Sequence, residues 1–246
     1  MISKNIMKLN KYAIVAELEN FLAKHKVASK NGFPVIPDDM LIREFPEQIL
    51  PHPNRNKSLN PAHTLISNFS NDEILFGSMK EIDERIESWS NFMGISGFDF
   101  SARKGDDANN QNFYLYLNKL LDAYVAFHGI RIFPNFRIGG DIKSMKILNL
   151  YPPKSWFIAG TLGCANGHVF ENVVLLKQKL LFARPTGLAI YGVLKNEYKA
   201  ILDDSGVVYG VYKDFRSASW NESRKRRGNE AIPESKIPAS VSIRDD

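Results

Sequence analysis

GISGFDFSARKGDDANNQNFYLYLNKLLDAYVAFHGIRIFPNFRIGGD, residues Gly94–Asp141, is the stretch that decides the fold. An apolar run ends in Asp99-Phe-Ser101 and leads into a long helical pattern. After Gly129 a second apolar run ends in Asn135-Phe-Arg137. The unit recurs downstream, where Trp156–Thr161 and Gly187–Gly192 are again short apolar runs closed by glycine and polar residues. Strands are therefore expected at Ile95–Ser101, Ile130–Arg137, Trp156–Thr161 and Gly187–Gly192, separated by helices. That alternation is the mark of βα units around a parallel sheet. The expected fold is α/β with about six to eight mostly parallel strands, as a complete or incomplete βα (TIM-like) barrel. An open doubly wound sheet is the alternative. In both, ligands meet the protein at the carboxyl ends of the strands.

Working outward, the helix over Asn112–Phe127 presents Phe113, Leu117, Leu120, Leu121, Tyr124 and Val125 on one face, and Gly129 ends it. A helix over His168–Arg184 carries Val169, Val173, Leu176 and Leu180, and Pro185 closes it. A short helix is expected near Asp141–Leu148, another at Asn196–Leu202, and a last strand at Gly206–Tyr212. Upstream, Thr64–Phe69 and Glu73–Gly77 read as short strands and Met79–Met93 as an amphipathic helix. Residues 33–63 hold Pro34, Pro37, Pro46, Pro51, Pro53 and Pro61, which disfavour helices and central strands. They read as an irregular segment with one turn at Asp39–Glu44. Its basic run His52–Lys57 is a surface connection or a functional loop. Residues 8–26 form a helix with Ile14, Leu18, Phe21 and Leu22 at helical spacing. The organisation expected is a helical arm (1–32), one α/β domain (33–216) and a disordered tail (217–246).

The 246 residues carry a net charge of +5. Residues 1–60 contribute nine Lys/Arg against six Asp/Glu, residues 61–220 seventeen against sixteen, and residues 221–246 six against five. The central region is nearly neutral, so the charge only weakly favours contact with phosphates. No apolar run approaches the ~18 residues of a membrane span, and a bacterial cytoplasmic location is expected. A single cysteine, Cys164, rules out an intramolecular disulfide and a cysteine-built zinc cluster. His25, His52, His63, His128 and His168 are scattered, with no HxH or HExxH pattern, so no metal site is assigned.

Asp99 is the first candidate catalytic residue. It ends a strand between Phe98 and Phe100, and alternation points it away from both. A buried carboxylate there needs hydrogen bonds, a cation or a raised pKa. General base, metal ligand, ribose-hydroxyl acceptor and structural acid bonded to Ser101 all remain open. Arg137 is the second candidate, sharing a strand face with Asn135. This pair can recognise an anion or amide, and Arg137 can equally form a buried ion pair with Asp99. Candidate ligand-binding residues are Ser101, Asn135, Gly160, Thr161, Gly163 and Tyr191. The turn Gly160–Gly167 is neither a Walker A loop nor GxGxxG, but its small residues let backbone amides approach a ligand. Cys164 and His168, four apart, form at most a weak candidate dyad. Arg224, Lys225, Arg226 and Arg227 are a candidate nucleic-acid-binding run.

The segments GFDFSARKGD, NKLLDAYVAFHGIRIFPNFRIGGD, WFIAGTLGC and RPTGLAIYG, over about residues 73–195, together resemble the domain of unknown function 4417 family. The matching features are Asp99-Phe-Ser101, Gly129–Pro134, Thr161–Gly163 and Pro185–Gly192. The chain departs from the family at Phe98, where proline is frequent, and at Arg137 or Ile138, where tryptophan is. The resemblance implies a bacterial phage or mobile-element context and a parallel α/β domain, and it assigns no reaction or cofactor. Three functions stay open: binding or processing of nucleic acid or nucleotides, small-molecule hydrolysis with Asp99 as general base, and a host-interaction scaffold without catalysis. The partner expected is nucleic acid or a phosphate-bearing ligand.

Overall fold

Parallel ladders organise the computed structural model, which describes residues 10–101, 106–139, 142–161 and 172–214. A small antiparallel pair, β1 (Ser29–Lys30) and β2 (Phe33–Pro34), comes first. Strands β3 (Gln48–Pro51), β4 (Thr64–Ser67), β5 (Gly94–Ser96) and β6 (Ile132–Phe133) then form one parallel sheet in that order. Strands β7 (Trp156–Gly160), β8 (Gly187–Tyr191) and β9 (Val208–Tyr212) form a second. A parallel bridge from Asn135 to Ile158 links the two sheets, with Phe136 N donating to Ile158 O at 2.8 Å. The fold is thus α/β with parallel strands, and spatial order follows chain order from β3 to β9.

Alternation along the strands sorts the side chains into two cores. Ile49, Leu65, Phe133, Ile158, Ala189 and Tyr191, one or more from β3, β4, β6, β7 and β8, meet in one interior cluster, with Ile42 and Met93 beside them. Their neighbours Ile66, Ile95, Ile132, Phe157, Leu188 and Ile190 face outward into the larger core under the helices. A single interior shared by both sheets is the packing of a βα barrel. No ladder joins β9 to β3 among the described residues; side chains span the gap. Tyr212 Oη donates to Pro46 O at 2.9 Å, and Phe45 Cδ1 lies 3.4 Å from where a Cβ on Gly210 of β9 would stand. Tyr212 ends its strand whereas Pro46 precedes its own. Tilted strands accumulate that stagger as they close into a barrel. We describe the domain as an incomplete βα barrel.

The outer layer comprises α1 (Lys11–Lys24), α2 (Asp72–Lys80), α3 (Ile82–Trp89), α4 (Ala108–Phe127), α5 (Val173–Ala183) and α6 (Asn196–Ser205). Helix α1 begins at Asn10, whose side chain accepts from Tyr12 N and Ala13 N, and buries Ile14, Leu18 and Leu22. Its Phe21 ring packs on Tyr124, Phe127 and His128 of and after α4.

Several expectations are corrected. Glu73–Gly77 is not a strand. Asn71 caps α2 by accepting from Ile74 N, and Asp72 and Glu73 occupy the first turn, where the helix dipole favours carboxylates. The helix expected over Met79–Met93 is split at Glu81 between α2 and α3. The proline-rich segment contains a parallel strand, β3, whose single proline is its last residue. The short helix after residue 141 is a 3-10 helix, Ile142–Leu150. The tail and the amino end of the helix expected from His168 lie outside the described residues.

Two glycines separate space from strain. Gly77 is exposed in α2, and an added Cβ would meet nothing within 4 Å. Gly94 has φ +147°, and its Cβ would stand 2.3 Å from Arg131 O and 2.8 Å from Ile42 Cδ1. Denaturant unfolding should show Gly77→Ala stabilising the chain by up to about 1 kcal/mol. Gly94→Ala should destabilise it by about 3 kcal/mol, since β5 would have to leave β6.

Candidate functional site

Beyond Ser96 the chain runs on past the end of β5 without a sheet partner on the helix side, and side chains satisfy its backbone. Asp122 Oδ1 accepts from Phe98 N at 2.8 Å, and Asn118 Oδ1 accepts from Phe100 N at 2.9 Å. Asn118 Nδ2 donates to Phe100 O at 3.2 Å. Asn118 and Asp122 are four apart on α4, so both point at the same segment. On the other side, Asn135 Nδ2 donates to Gly97 O and Phe98 O, at 2.9 and 3.0 Å. Asp72 Oδ1, in the first turn of α2, accepts from Ser101 N at 3.0 Å. These bonds hold the segment Gly97–Ser101 between α2, α4 and the chain beyond β6. Phe98 and Phe100 go into the outer core, and Asp99 goes the other way.

Asp99 Oδ1 accepts from Arg137 Nη1 at 2.7 Å, with the two residues 6% and 8% exposed. Burial pushes the Asp99 carboxyl above the ordinary carboxylate value. Arg137 pulls it back and the Asp72 carboxylate pushes it up again. A second buried pair supports the first: Lys119 Nζ donates to Asp122 Oδ2 at 3.0 Å and to Tyr151 Oη at 2.5 Å. Burial raises the Asp122 carboxyl, opposed by Lys119, and burial also raises the Tyr151 phenol. Burial works against the Lys119 ammonium, but its two partners outweigh that and hold its pKa above the usual lysine value.

The structure brings Asp99, Asn135 and Arg137 together at the carboxyl ends of β5 and β6, with Ser101 beside them through Asp72. Gly160, Thr161 and Tyr191 gather at the same end of β7 and β8 around a residue the sequence did not single out, Phe69. The Phe69 ring stacks on Tyr191 with centroids 5.9 Å apart. It also lies where a side chain on Gly160 would be, 2.8 Å from the Cβ position. Thr161 serves the backbone here, its N donating to Tyr191 O at 3.0 Å and its Oγ1 accepting from Val193 N at 2.7 Å. Gly163, Cys164, His168 and the run Arg224, Lys225, Arg226, Arg227 lie outside the described residues. Asp72, Asn118, Lys119 and Asp122 were also missed. The available signal was the polar i, i+4 pair Asn118/Asp122 in the apolar half of α4 after Asn112.

Chemically the arrangement offers a desolvated carboxyl, a guanidinium and Asn135 Oδ1, which is buried and accepts no hydrogen bond among the described residues. Among the described residues no group of three or more His, Cys, Asp and Glu can hold a metal ion. No described helix is long and apolar enough to cross a membrane. No family model, curated protein or solved structure matches the chain.

Asp122→Ala would strand a buried ammonium and a buried amide N–H at once. Denaturant unfolding should show a loss of about 3–5 kcal/mol. Asp122→Asn, which keeps an acceptor for Phe98 N, should lose less.

Proposed function

We propose that the chain is a βα-barrel enzyme acting on a small polar molecule beyond the carboxyl ends of β5 and β6. In this reading it is a hydrolase in which Asp99 is the general base and Arg137 stabilises negative charge as it develops. One observation carries the reading. A buried carboxyl whose pKa is raised by desolvation stands 2.7 Å from a guanidinium, in the chain just beyond two adjacent parallel strands. Such a carboxyl is tuned toward the pH at which proton abstraction is useful. The guanidinium keeps it ionisable and offers positive charge to a substrate oxygen. Asn135 and Ser101 flank the pair and orient the substrate, while Tyr191 and the β7 turn bound it on the far side.

Native mass spectrometry of the freshly purified chain should identify a co-purifying small molecule. That molecule, with a panel of ester, amide and phosphoester compounds, supplies the substrates for turnover. Asp99→Asn should lower kcat by about 10²–10⁴-fold with an unchanged circular dichroism spectrum. The base acts ionised and its pKa is raised, so kcat/KM should climb with pH through a midpoint above the ordinary carboxylate value. Arg137 lowers that pKa, so Arg137→Met should move the midpoint to higher pH. Wild-type turnover in Asp99→Asn would sink the assignment.

A second reading, a phage or mobile-element protein that binds nucleic acid, rests on the Arg224–Arg227 run and the family resemblance. It requires binding whose log affinity falls steeply with log salt concentration, and an absence of binding at low salt removes it.

A further inference from the structure

We propose that the face where the 3-10 turn His52–Lys57 packs against α3 is a binding site for a phosphate group, built from His52, Arg55 and Arg85. This site is separate from the Asp99–Arg137 pair and does not depend on the hydrolase reading.

Hydrogen-bond donors outnumber acceptors here. Trp89 Nε1, which can only donate, lies 3.0 Å from His52 Nδ1. That nitrogen must therefore carry the lone pair, and the proton of the neutral ring is on Nε2. Arg55 Nη1, also a donor only, lies 3.4 Å from that Nε2. Two N–H groups thus stand side by side. Arg55 Nη1 otherwise reaches His52 O at a long 3.3 Å. Arg85 adds a third donor, an Nε that is buried without a hydrogen-bond partner. Its Nη2 forms a long ion pair with Glu81 Oε2 at 3.6 Å, and Glu81 is half exposed.

Charge points the same way. Burial works against the charge on Arg85, Glu81 favours it, and Arg55, within electrostatic reach, adds a smaller opposing effect. Glu81 is the carboxylate paired with Arg85, while Asp83 of α3 is taken by Tyr124 Oη at 2.6 Å. Burial first, then Arg85 and Arg55, hold His52 down at about 4, so the ring is neutral at physiological pH and donates from Nε2. Buried or half-buried donors without acceptors are costly to leave so. A tetrahedral oxyanion supplies several acceptors and the missing negative charge together, and guanidinium forks suit its geometry.

The full-length chain is titrated with inorganic phosphate against chloride at equal ionic strength, by calorimetry and by NMR of the histidine rings. Saturable binding is expected, with the His52 midpoint moving upward from about 4, because a bound anion favours the charged ring. Arg55→Gln and Arg85→Gln should each weaken binding by about tenfold or more. Arg131→Gln, at an exposed arginine paired with Glu44, should leave binding unchanged. A short single-stranded oligonucleotide that binds more tightly than phosphate, with a steep salt dependence, assigns the site to a nucleic-acid backbone. Equal or weaker binding assigns it to an isolated phosphate group. No saturable binding together with an unmoved His52 midpoint overturns the proposal, and so does undiminished binding in the Arg55→Gln/Arg85→Gln double variant. The NMR measurement on the unmodified chain stands even if a variant fails to fold.

Discussion

The hydrogen bonds from α4 to the chain beyond β5 are the constraint on which the rest of the site depends. A strand that outruns its sheet presents backbone groups that must find partners, because unpaired buried N–H and C=O groups are costly. Here a helix supplies them. Asp122 and Asn118 bond Phe98 and Phe100 as a neighbouring strand would, while Asn135 bonds Gly97 and Phe98 from the other side. The chain beyond Ser96 is thereby fixed, with Phe98 and Phe100 in the outer core and Asp99 turned toward Arg137. Without these polar helix residues the position of Asp99 would be a matter of loop conformation.

Using charged side chains for this purpose brings a desolvation cost. It is offset pairwise. Lys119 neutralises Asp122 and bonds Tyr151, and Arg137 neutralises Asp99. The two pairs are coupled, since Lys119 also lowers the Asp99 carboxyl pKa, weakly. A change at Asp122 therefore reaches the candidate catalytic carboxyl by two routes, through the Phe98 backbone and through the field of Lys119.

The parallel strands were legible because their apolar runs and polar ends repeat in phase. Asp99, Asn135 and Arg137 followed from two-residue alternation alone. β3 was hidden by Pro46 and Pro51, yet both are compatible with it: one precedes the strand and the other ends it, where a missing N–H matters least. The segment Glu73–Gly77 misled because Ile74, Leu75 and Phe76 are consecutive apolar residues, which do not distinguish strand from helix. The cap at Asn71 and the acids after it carried the decisive information. The role of α4 was hidden for another reason. Only its apolar face was read from the spacing, whereas Asn118, Lys119 and Asp122 are all buried. A polar residue on a helix says that it needs a partner, and says nothing of whether that partner is water.

The barrel interior constrains where a ligand can sit. Tyr191 and Phe69 stack across the carboxyl ends of β7 and β8, and Gly160 makes room for the Phe69 ring by having no side chain. Below them Ile49, Leu65, Phe133, Ile158 and Ala189 pack into one apolar cluster. Among the described residues, Asp99 and Arg137 form a buried ion pair in the chain just beyond β5 and β6. An aromatic lid on one half of the mouth and a charge pair on the other divide it into an apolar and a polar side. A small molecule bound there would meet the ring of Phe69 or Tyr191 with its apolar part and the Asp99–Arg137 pair with its reactive polar part. In the proposed reading the aromatic side would add apolar contact to the orientation given by Asn135 and Ser101.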